Sequence, residues 1–558
     1  MKLKKNDILK LEITGMTSQG SGVGRYEGLA IFVSNTVEGD IIDARIIKTS
    51  KNYAIGKIER MISPSKSRID PDCPVSGSCG GCVYRHISYD EELRLKRQKV
   101  IDAMIRIGGL SAESVGEIVG APSCNGYRNK AQLPVGTEKN GEYITGFYAF
   151  HSHRIVSCGC CKLQPSVFNE VCKVFLQWCR RFNPMPYDEI THKGLLRHLY
   201  IRYGEATGQV MVCLVINGER INGEQELIQL LCDKIDGFKS LVININKEKT
   251  NVILGSRCRT VYGEDYITDI LCGLKFTISP LSFYQVNRTQ AQKLYTIAAD
   301  FAALTGDETL LDLYCGTGTI GLSMAGKAKK LIGVEIVPQA IENAKRNAWL
   351  NGITNAEFIC ADAAVAADKL SRRGETPDVI IVDPPRKGLS APLINTISQL
   401  NPKRVVYVSC DCATLARDIK IFRDNGYTSE RITPVDMFPR TAHVETVCLL
   451  SHKKPDSVIN VKVEFGEGEG KVPLDNIAKR AEAYKPKERV TYKMIKEYIE
   501  AKYGFKVHTA YIAEVKRDLG LPMYDAPNAV EELKQPRKHP TPEKVAAIKN
   551  ALKHFEVI

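Results

Sequence analysis

The sequence predicts an α/β protein organised around a doubly wound parallel sheet, preceded by a small β-barrel, interrupted by an α+β insertion and followed by a small, mainly helical extension. Three observations carry this. From about Gln285 to His452, near-continuous apolar runs (Thr309 to Leu313, Lys330 to Glu335, Asp378 to Asp383, Arg404 to Ser409) alternate with helical stretches. That is the pattern of parallel strands covered on both faces by crossover helices. Residues 1 to 60 instead hold short β-like runs, Ile8 to Thr14, Leu29 to Val33, Asp40 to Lys48 and Tyr53 to Ile62, punctuated by Gly20, Gly22, Gly24, Gly28 and Gly39, as in a small barrel. After Lys453-Lys454-Pro455 the composition shifts. The chain thereby divides into a barrel at 1–60, a central α+β domain at 61–90 and 126–274, an α/β domain at 91–125 and 275–452, and an extension at 456–558.

Composition narrows the class. An apolar content of 44% with 25% charged residues in 558 is that of a globular protein with several cores. No apolar run approaches the roughly 18 residues of a membrane span, and the start MKLKKNDILKLEITG lacks the apolar stretch of a secretory signal. A cytoplasmic protein with no membrane association is expected, acting as a monomer. The net charge of +13 suits a polyanionic partner. Eighteen cysteines in a reducing compartment point, where clustered, to metal binding or catalysis rather than to disulfides.

In LLDLYCGTGTIGL an apolar strand runs directly into Gly316, Gly318 and Gly321 and then a helix, which lets backbone approach a cofactor at the strand's carboxyl end. Glu335 closes the next strand, where an acid accepts the ribose hydroxyls of an adenosine. A nicotinamide-dependent dehydrogenase shares both features. The strand VIIVDPPRKG ends in Asp383-Pro384-Pro385, which has no usual role in hydride transfer. In VVYVSCDCATLARD, Cys410 stands where a strand ends, the side on which such sheets bind ligands.

A second cysteine group lies outside this domain. CPVSGSCGGC spaces Cys73, Cys79 and Cys82 as C-x5-C-x2-C, and GFYAFHSHRIVSCGCCKLQ offers Cys158, Cys160 or Cys161 as a fourth ligand. Four thiolates fit either a [4Fe-4S] cluster or a tetrahedral zinc site.

These motifs together resemble the RumA/TrmA family of S-adenosylmethionine (SAM)-dependent RNA (uracil-5-)-methyltransferases. DPPRKG, YVSC and TLARD match one family signature, MFPRTAHVE ending in Glu445 a second, and LSFYQVN with Gln285 a third. TSQGSGVGRYEGLAIFV and IIDARIIKTSKNYAIGKI resemble a TRAM domain, an RNA-binding module of OB-like barrel shape. The likeness spans roughly residues 1 to 450. It implies a Rossmann-like SAM methyltransferase domain, a TRAM barrel and an iron-sulfur central domain. It implies further that Cys410 is the nucleophile and Glu445 the general base, and that Gln285, Tyr314, Glu335 and Asp383 contact SAM. Aligning the family's phrase onto Ile155 to Gln164 selects Cys161 as the fourth cluster ligand, with iron-sulfur favoured over structural zinc.

The chemistry is consistent with that pair of residues. Uracil C5 is too weak a nucleophile to accept a methyl group until a thiolate adds at C6, and a base must then remove the C5 proton. One position departs from the family, which usually has Asn-Pro after the nucleophile where this chain has Asp411-Cys412. A carboxylate there would raise the thiol pKa if it lay nearby. A TRAM-like barrel with a cysteine cluster resembles the enzymes acting on 23S rRNA; methylation of uridine 54 in tRNA is the alternative. A non-catalytic RNA-binding or assembly protein is the contrasting class, against which Cys410 and Glu445 argue.

The extension reads as two amphipathic helices in RVTYKMIKEYIEAKYGFKVHTAYIAEVKRDLGL, with Thr491 and Thr509 as caps, Gly520 as a stop, and Lys516 and Arg517 on a solvated face.

Overall fold

The computed structural model describes residues 3–150, 152–157, 159–452, 492–519 and 539–555. Five strands, β1 (Ile8–Met16), β2 (Gly22–Tyr26), β3 (Leu29–Val33), β4 (Ile41–Thr49) and β5 (Tyr53–Ser63), close a barrel in the order β1-β2-β3-β5-β4. Alternation along β1 turns Leu9, Leu11 and Ile13 inward and Ile8, Lys10 and Glu12 to solvent, and Leu11 pairs with Ile42 of β4. Strand β2 is not among the expected runs, because Gly22 and Gly24 have the local character of turn residues. They are strand residues whose hydrogens make room for neighbours: a Cβ on Gly22 would stand 2.1 Å from Thr36 Oγ1, and one on Gly24 2.6 Å from the Glu12 carbonyl oxygen. The turn glycines are Gly20, Gly28 and Gly39, all at positive φ.

Helix α1 (Tyr89–Ala103) follows, its N-terminus capped by the Ser88 hydroxyl, which accepts from Glu91 N. The central domain is a seven-stranded sheet of β6 (Lys130–Thr137), β7 (Tyr143–Tyr148), β8 (Ile155–Ser157), β9 (Leu196–Gly204), β10 (Gln209–Ile216), β11 (Phe238–Ile245) and β12 (Arg257–Gly263) in the order β12-β11-β10-β9-β6-β7-β8. Helices α2 (Ser166–Phe182) and α3 (Glu224–Lys234) bury Phe168, Phe175, Trp178 and Leu227 against one face. Its other face, through Tyr200, Met211 and Val215, joins one apolar cluster with the hairpin β13 (Ile267–Leu271) and β14 (Leu274–Ile278), helix α4 (Arg288–Ala302) and the sheet that follows. The central and α/β domains therefore share a core, and the domain limit expected at residue 274 falls inside a paired hairpin.

The second seven-stranded sheet runs β17-β16-β15-β18-β19-β21-β20, from β15 (Thr309–Leu313), β16 (Lys330–Glu335), β17 (Ala356–Cys360), β18 (Val379–Val382), β19 (Arg404–Ser409), β20 (Tyr427–Val435) and β21 (Glu445–His452). The first five strands are parallel, and β21 lies antiparallel between β19 and β20. Helices α5 (Thr319–Met324), α6 (Pro338–Leu350), α7 (Ala363–Arg372), α8 (Ala391–Gln399) and α9 (Cys412–Asp424) make the crossovers. Strand order reverses between β15 and β18, which opens a crevice at their carboxyl ends. Helix α1 returns to this domain: Val100, Ile101 and Ala103 share an apolar cluster with Leu415, Ala416 and Ile419 of α9.

The chain divides into two compact units at Lys454. In the second, α10 (Tyr492–Tyr503), α11 (Thr509–Asp518) and α12 (Pro542–His554) bury Ile495, Ile499, Ile512, Val515, Ile548 and Leu552 together. The third helix was not anticipated. The cap of α11 is His508, whose side chain accepts from Ala510 N, rather than Thr509; Thr491 and Gly520 lie outside the described residues. No helix among the described residues is long and apolar enough to cross a membrane.

The contrast between two strand glycines is testable. Gly22→Ala forces a methyl into Thr36 and Ile13 and is expected to cost about 1–3 kcal/mol of barrel stability, whereas Gly15→Ala, with nothing within 4 Å, is near neutral. Hydrogen exchange of barrel amides would show faster opening for Gly22→Ala alone; equal effects would contradict this packing.

Candidate active site

At the end of β15 the chain turns sharply. Tyr314, Gly316 and Gly318 all have positive φ, and Gly318 starts α5. Two acids hold this turn. Asp312, buried in β15, accepts from Gly321 N at 2.9 Å, and a Cβ on Gly321 would sit 2.7 Å from that carboxylate oxygen. Glu335, closing β16, accepts from Gly316 N at 3.2 Å and from Val337 N at 3.0 Å. The segment carrying Gln285 is stitched alongside: Asn129 Nδ2 donates to the Gln285 carbonyl at 2.9 Å, Asn287 caps α4, and Thr317 Oγ1 donates to the Phe283 carbonyl at 3.4 Å. Gln285, Tyr314 and Glu335 thus surround one turn. Buried Asp312 Oδ1 has no hydrogen-bond partner, and Gly316 has open space where a Cβ would be. An open glycine turn beside a strand-end acid suits the adenosyl and amino-acid parts of SAM.

Across the crevice, Asp383 follows β18, Cys410 follows β19 and Glu445 begins β21. Burial pushes the Glu445 carboxyl up to about 8, with the Asp383 charge adding to the rise and Arg386 opposing it. Burial likewise raises Asp383 to about 7 and, with the charges of Asp383 and Glu335 adding, Asp312 to about 8. Cys410 is pushed up to about 11 by burial first, then by Glu445 and Asp383, against Arg386. Three acids and one thiol therefore act on one another through a poorly solvated space.

Asp411 plays a different part from the one feared from its position. Its carboxylate turns into the first turn of α9, accepting from Ala413 N at 2.9 Å and Thr414 N at 3.0 Å. It is a helix cap, and the charges that chiefly raise Cys410 are those of Glu445 and Asp383. Cys412 is buried in the same turn, its thiol 3.8 Å from the Lys99 carbonyl. The helix geometry separates the two cysteines: Cys410 precedes the cap and Cys412 lies inside α9.

Cys410 opens into a cleft of about 790 Å³ lined by Met16 and Gln19 of the barrel, Arg94 and Lys99 of α1, Arg386 and His443. His443 is lowered to about 4 by burial, then by the positive charges of Arg386, Lys99, Lys96 and Arg128. Burial first, and then those charges, disfavour the imidazolium. Asp312, Lys99, Arg386 and His443 were not singled out in the sequence. An acid inside the apolar run LLDL was the one available signal, for Asp312.

Cys73, Cys79, Cys82 and Cys161 line a separate cavity of about 80 Å³, together with Arg85 and Arg128. The loop joining the first three passes under β7, where Gly80 N donates to the Tyr148 carbonyl at 3.2 Å. Burial raises the Cys82 thiol, with Arg85 and Arg128 opposing. Arg85 is itself buried; its Nη1 donates to Asp72 Oδ1 at 2.6 Å and Asn125 Oδ1 at 3.0 Å, while its Nε and Nη2 have no hydrogen-bond partner. Orphaned guanidinium nitrogens facing thiols fit an electron-rich, negatively charged group between them. Among the described residues no three His, Cys, Asp or Glu side chains close on a single-ion site. Cys160 is exposed, and Cys158 lies outside the described residues.

Comparison with known proteins agrees with this geometry. The tRNA (Uracil-5-)-methyltransferase family model matches residues 240–453, and the TRAM domain model matches residues 2–58. A Clostridium tetani protein named an uncharacterized RNA methyltransferase is 44% identical over 450 residues, 81% of this chain and 97% of its own. A Halalkalibacterium halodurans protein of the same description is 44% identical over 451 residues, 81% of this chain and 98% of its own. Among solved structures, the Pyrococcus abyssi tRNA (uracil-54, C5)-methyltransferase in complex with S-adenosyl-L-homocysteine matches with a TM-score of 0.65 and 28% identity, over 79% of this chain and 99% of that one. A TRAM barrel, a doubly wound sheet with the glycine turn and strand-end acids in place, and relatives of this identity and coverage make the chain a member of the RumA/TrmA family of SAM-dependent RNA (uracil-5-)-methyltransferases.

Proposed function

We propose that the chain methylates C5 of a uridine in 23S rRNA, with Cys410 as nucleophile and Glu445 as general base. The observation that carries this is the meeting of Cys410, Asp383 and Glu445 at adjacent strand ends, with Cys410 opening on a cleft that holds Lys99 and Arg386 and is walled by the TRAM barrel. Bound SAM supplies the methyl group, with Gln285, Tyr314, Glu335 and Asp383 as its contacts. The chain supplies the rest. The Cys410 thiol gives its proton to water in the cleft, and the thiolate forms a bond to C6 as the C5–C6 π electrons move into the ring enolate, which places electron density at C5 for methyl transfer. Glu445, at about 8, is matched to removing the C5 proton near neutral pH. The electrons of the C5–H bond restore the ring double bond as the C6–S bond breaks, and Cys410 leaves. The barrel and Arg94, Lys99 and Arg386 hold the RNA strand by its phosphates.

The ribosomal target rests on the combination of a TRAM barrel with a cysteine-lined cavity. Uridine 54 of tRNA is the second reading, favoured by the Pyrococcus neighbour, whose title names that position. Mapping 5-methyluridine in both RNAs from a strain lacking this gene separates them.

RNA carrying 5-fluorouridine at the target is expected to form a stable covalent adduct with the enzyme and SAM, since fluorine cannot leave as a cation. Cys410→Ala abolishes the adduct and Cys412→Ala leaves it largely intact, as read on denaturing gels. Glu445→Gln on unmodified RNA accumulates a methylated covalent intermediate. An adduct that survives Cys410→Ala but not Cys412→Ala moves the nucleophile by two residues, and indifference to both removes the mechanism.

The cysteine cavity is assigned a [4Fe-4S] cluster held by Cys73, Cys79, Cys82 and Cys161, with a structural zinc as the alternative. Cysteines spread around a cavity, faced by an under-bonded Arg85, suit a cluster in which each iron takes one thiolate. Protein purified without oxygen is expected to be brown, with about four irons per chain; stoichiometric zinc without visible absorbance overturns the assignment.

A further inference from the structure

The nine residues between β20 and β21, Asp436 to Val444, form the loop of a hairpin in which Val435 pairs with Glu445. The position of the assigned base is therefore set by how this loop is held. Its anchor is a group of acidic and basic side chains sealed from water, in which burial pushes the Glu92 carboxyl up against the opposing charges of Lys96 and Arg440. Lys96 of α1 is 1% exposed, and Glu92 and Asp436 are 0% exposed. The Lys96 ammonium donates to Glu92 Oε1 at 2.7 Å, to Asp436 Oδ1 at 2.6 Å and to the Phe438 carbonyl at 3.1 Å, which satisfies all three of its hydrogens.

The two carboxylates take further donors. Tyr89 donates to Asp436 Oδ2 at 2.7 Å, and Arg440 N donates to Glu92 Oε1 at 2.6 Å. Arg440 adopts φ of 69°, a conformation a non-glycine residue keeps only when its surroundings enforce it. Its carbonyl accepts from Val83 N at 2.9 Å and Tyr84 N at 3.2 Å, directly after Cys82. Arg440 Nη1 lies 3.5 Å from Glu92, so two basic side chains face two acidic ones. Such an arrangement adds little net stability compared with apolar packing, but it fixes one geometry.

We infer that Lys96 is a positioning residue for Glu445: clamped between Glu92 and Asp436, it locks the Asp436–Val444 loop so that the first residue of β21 stands against C5 of the target. This rests on the reading of Glu445 as the base. Lys96 touches neither substrate nor cofactor, so its loss acts on proton removal and spares the earlier steps.

The test uses the full chain and three variants, Lys96→Met, Asp436→Asn and Glu445→Gln, with Asp436→Asn deciding if Lys96→Met does not fold. In Lys96→Met and Asp436→Asn, which keep Glu445, S-adenosylhomocysteine affinity and the rate of adduct formation with 5-fluorouridine RNA are expected to stay within about threefold of the parent. Turnover on ordinary RNA is expected to fall about 10- to 100-fold, the range for a reacting group displaced by about an ångström. The methylated covalent intermediate should accumulate as it does in Glu445→Gln. Adduct formation and turnover falling together, or turnover unchanged, overturns the assignment of Lys96. If Glu445→Gln accumulates no intermediate, the reading of Glu445 as base fails, and the Lys96 inference with it. Accumulation in Glu445→Gln but not in Asp436→Asn overturns the Lys96 inference alone.

Discussion

Asp312, Asp383 and Glu445 are withdrawn from water within reach of one another's charge, and Cys410 shares that space with the last two. Charges of one sign in a poorly solvated space oppose one another's formation, so protons stay on these groups well above their ordinary ranges. The strand order produces this situation. Because it reverses between β15 and β18, the carboxyl ends of four parallel strands open on one crevice, and each ends in or runs directly into a polar residue: Tyr314, Glu335, Asp383 and Cys410. Arg386 opposes the rise at Cys410 and Glu445. A phosphate chain and a sulfonium are then drawn to different parts of one field.

That arrangement needs rigid walls, and the molecule supplies them by sharing cores. The central sheet packs on the hairpin β13–β14 and α4 through one apolar cluster that reaches into the parallel sheet. Helix α1 leaves the barrel side and buries itself against α9, so the helix that follows Cys410 and one wall of the cleft move as one body. The cysteine loop joins the same framework through the Arg440 carbonyl, which accepts from Val83 and Tyr84.

What the sequence made legible followed from local rules. An apolar strand running into glycines or an acid announces a strand end, and so Glu335, Asp383 and Cys410 stood out, as did the spacing of Cys73, Cys79 and Cys82, whereas Gln285, Tyr314 and Cys161 came only from the family resemblance. The unread features depend on distant packing. Gly22 and Gly24 look like turn residues until Thr36 and Leu11 are seen pressing on them. Lys96 looks like a solvated partner of Glu92 on a helix surface, since nothing local shows Asp436 closing over it from 340 residues away. Glu445 was legible as the end of a motif and not as the start of a strand, because β21 enters the sheet between two elements that precede it in the chain. Asp411 shows the opposite failure: a charge beside a thiol in sequence is spent on the helix that follows.

The most direct measurement of this account is the ionisation of Cys410 in the resting enzyme, followed by the pH dependence of its alkylation with iodoacetamide and read by peptide mass spectrometry. The account expects a midpoint near the value of about 11 to which burial, Glu445 and Asp383 push it. It expects a clear fall in Glu445→Gln, where one opposing charge is gone, and a further fall when cationic SAM is bound. A midpoint at the ordinary thiol value, or one that ignores both Glu445→Gln and SAM, would contradict the shared, desolvated site on which the assignment of Cys410 and Glu445 rests.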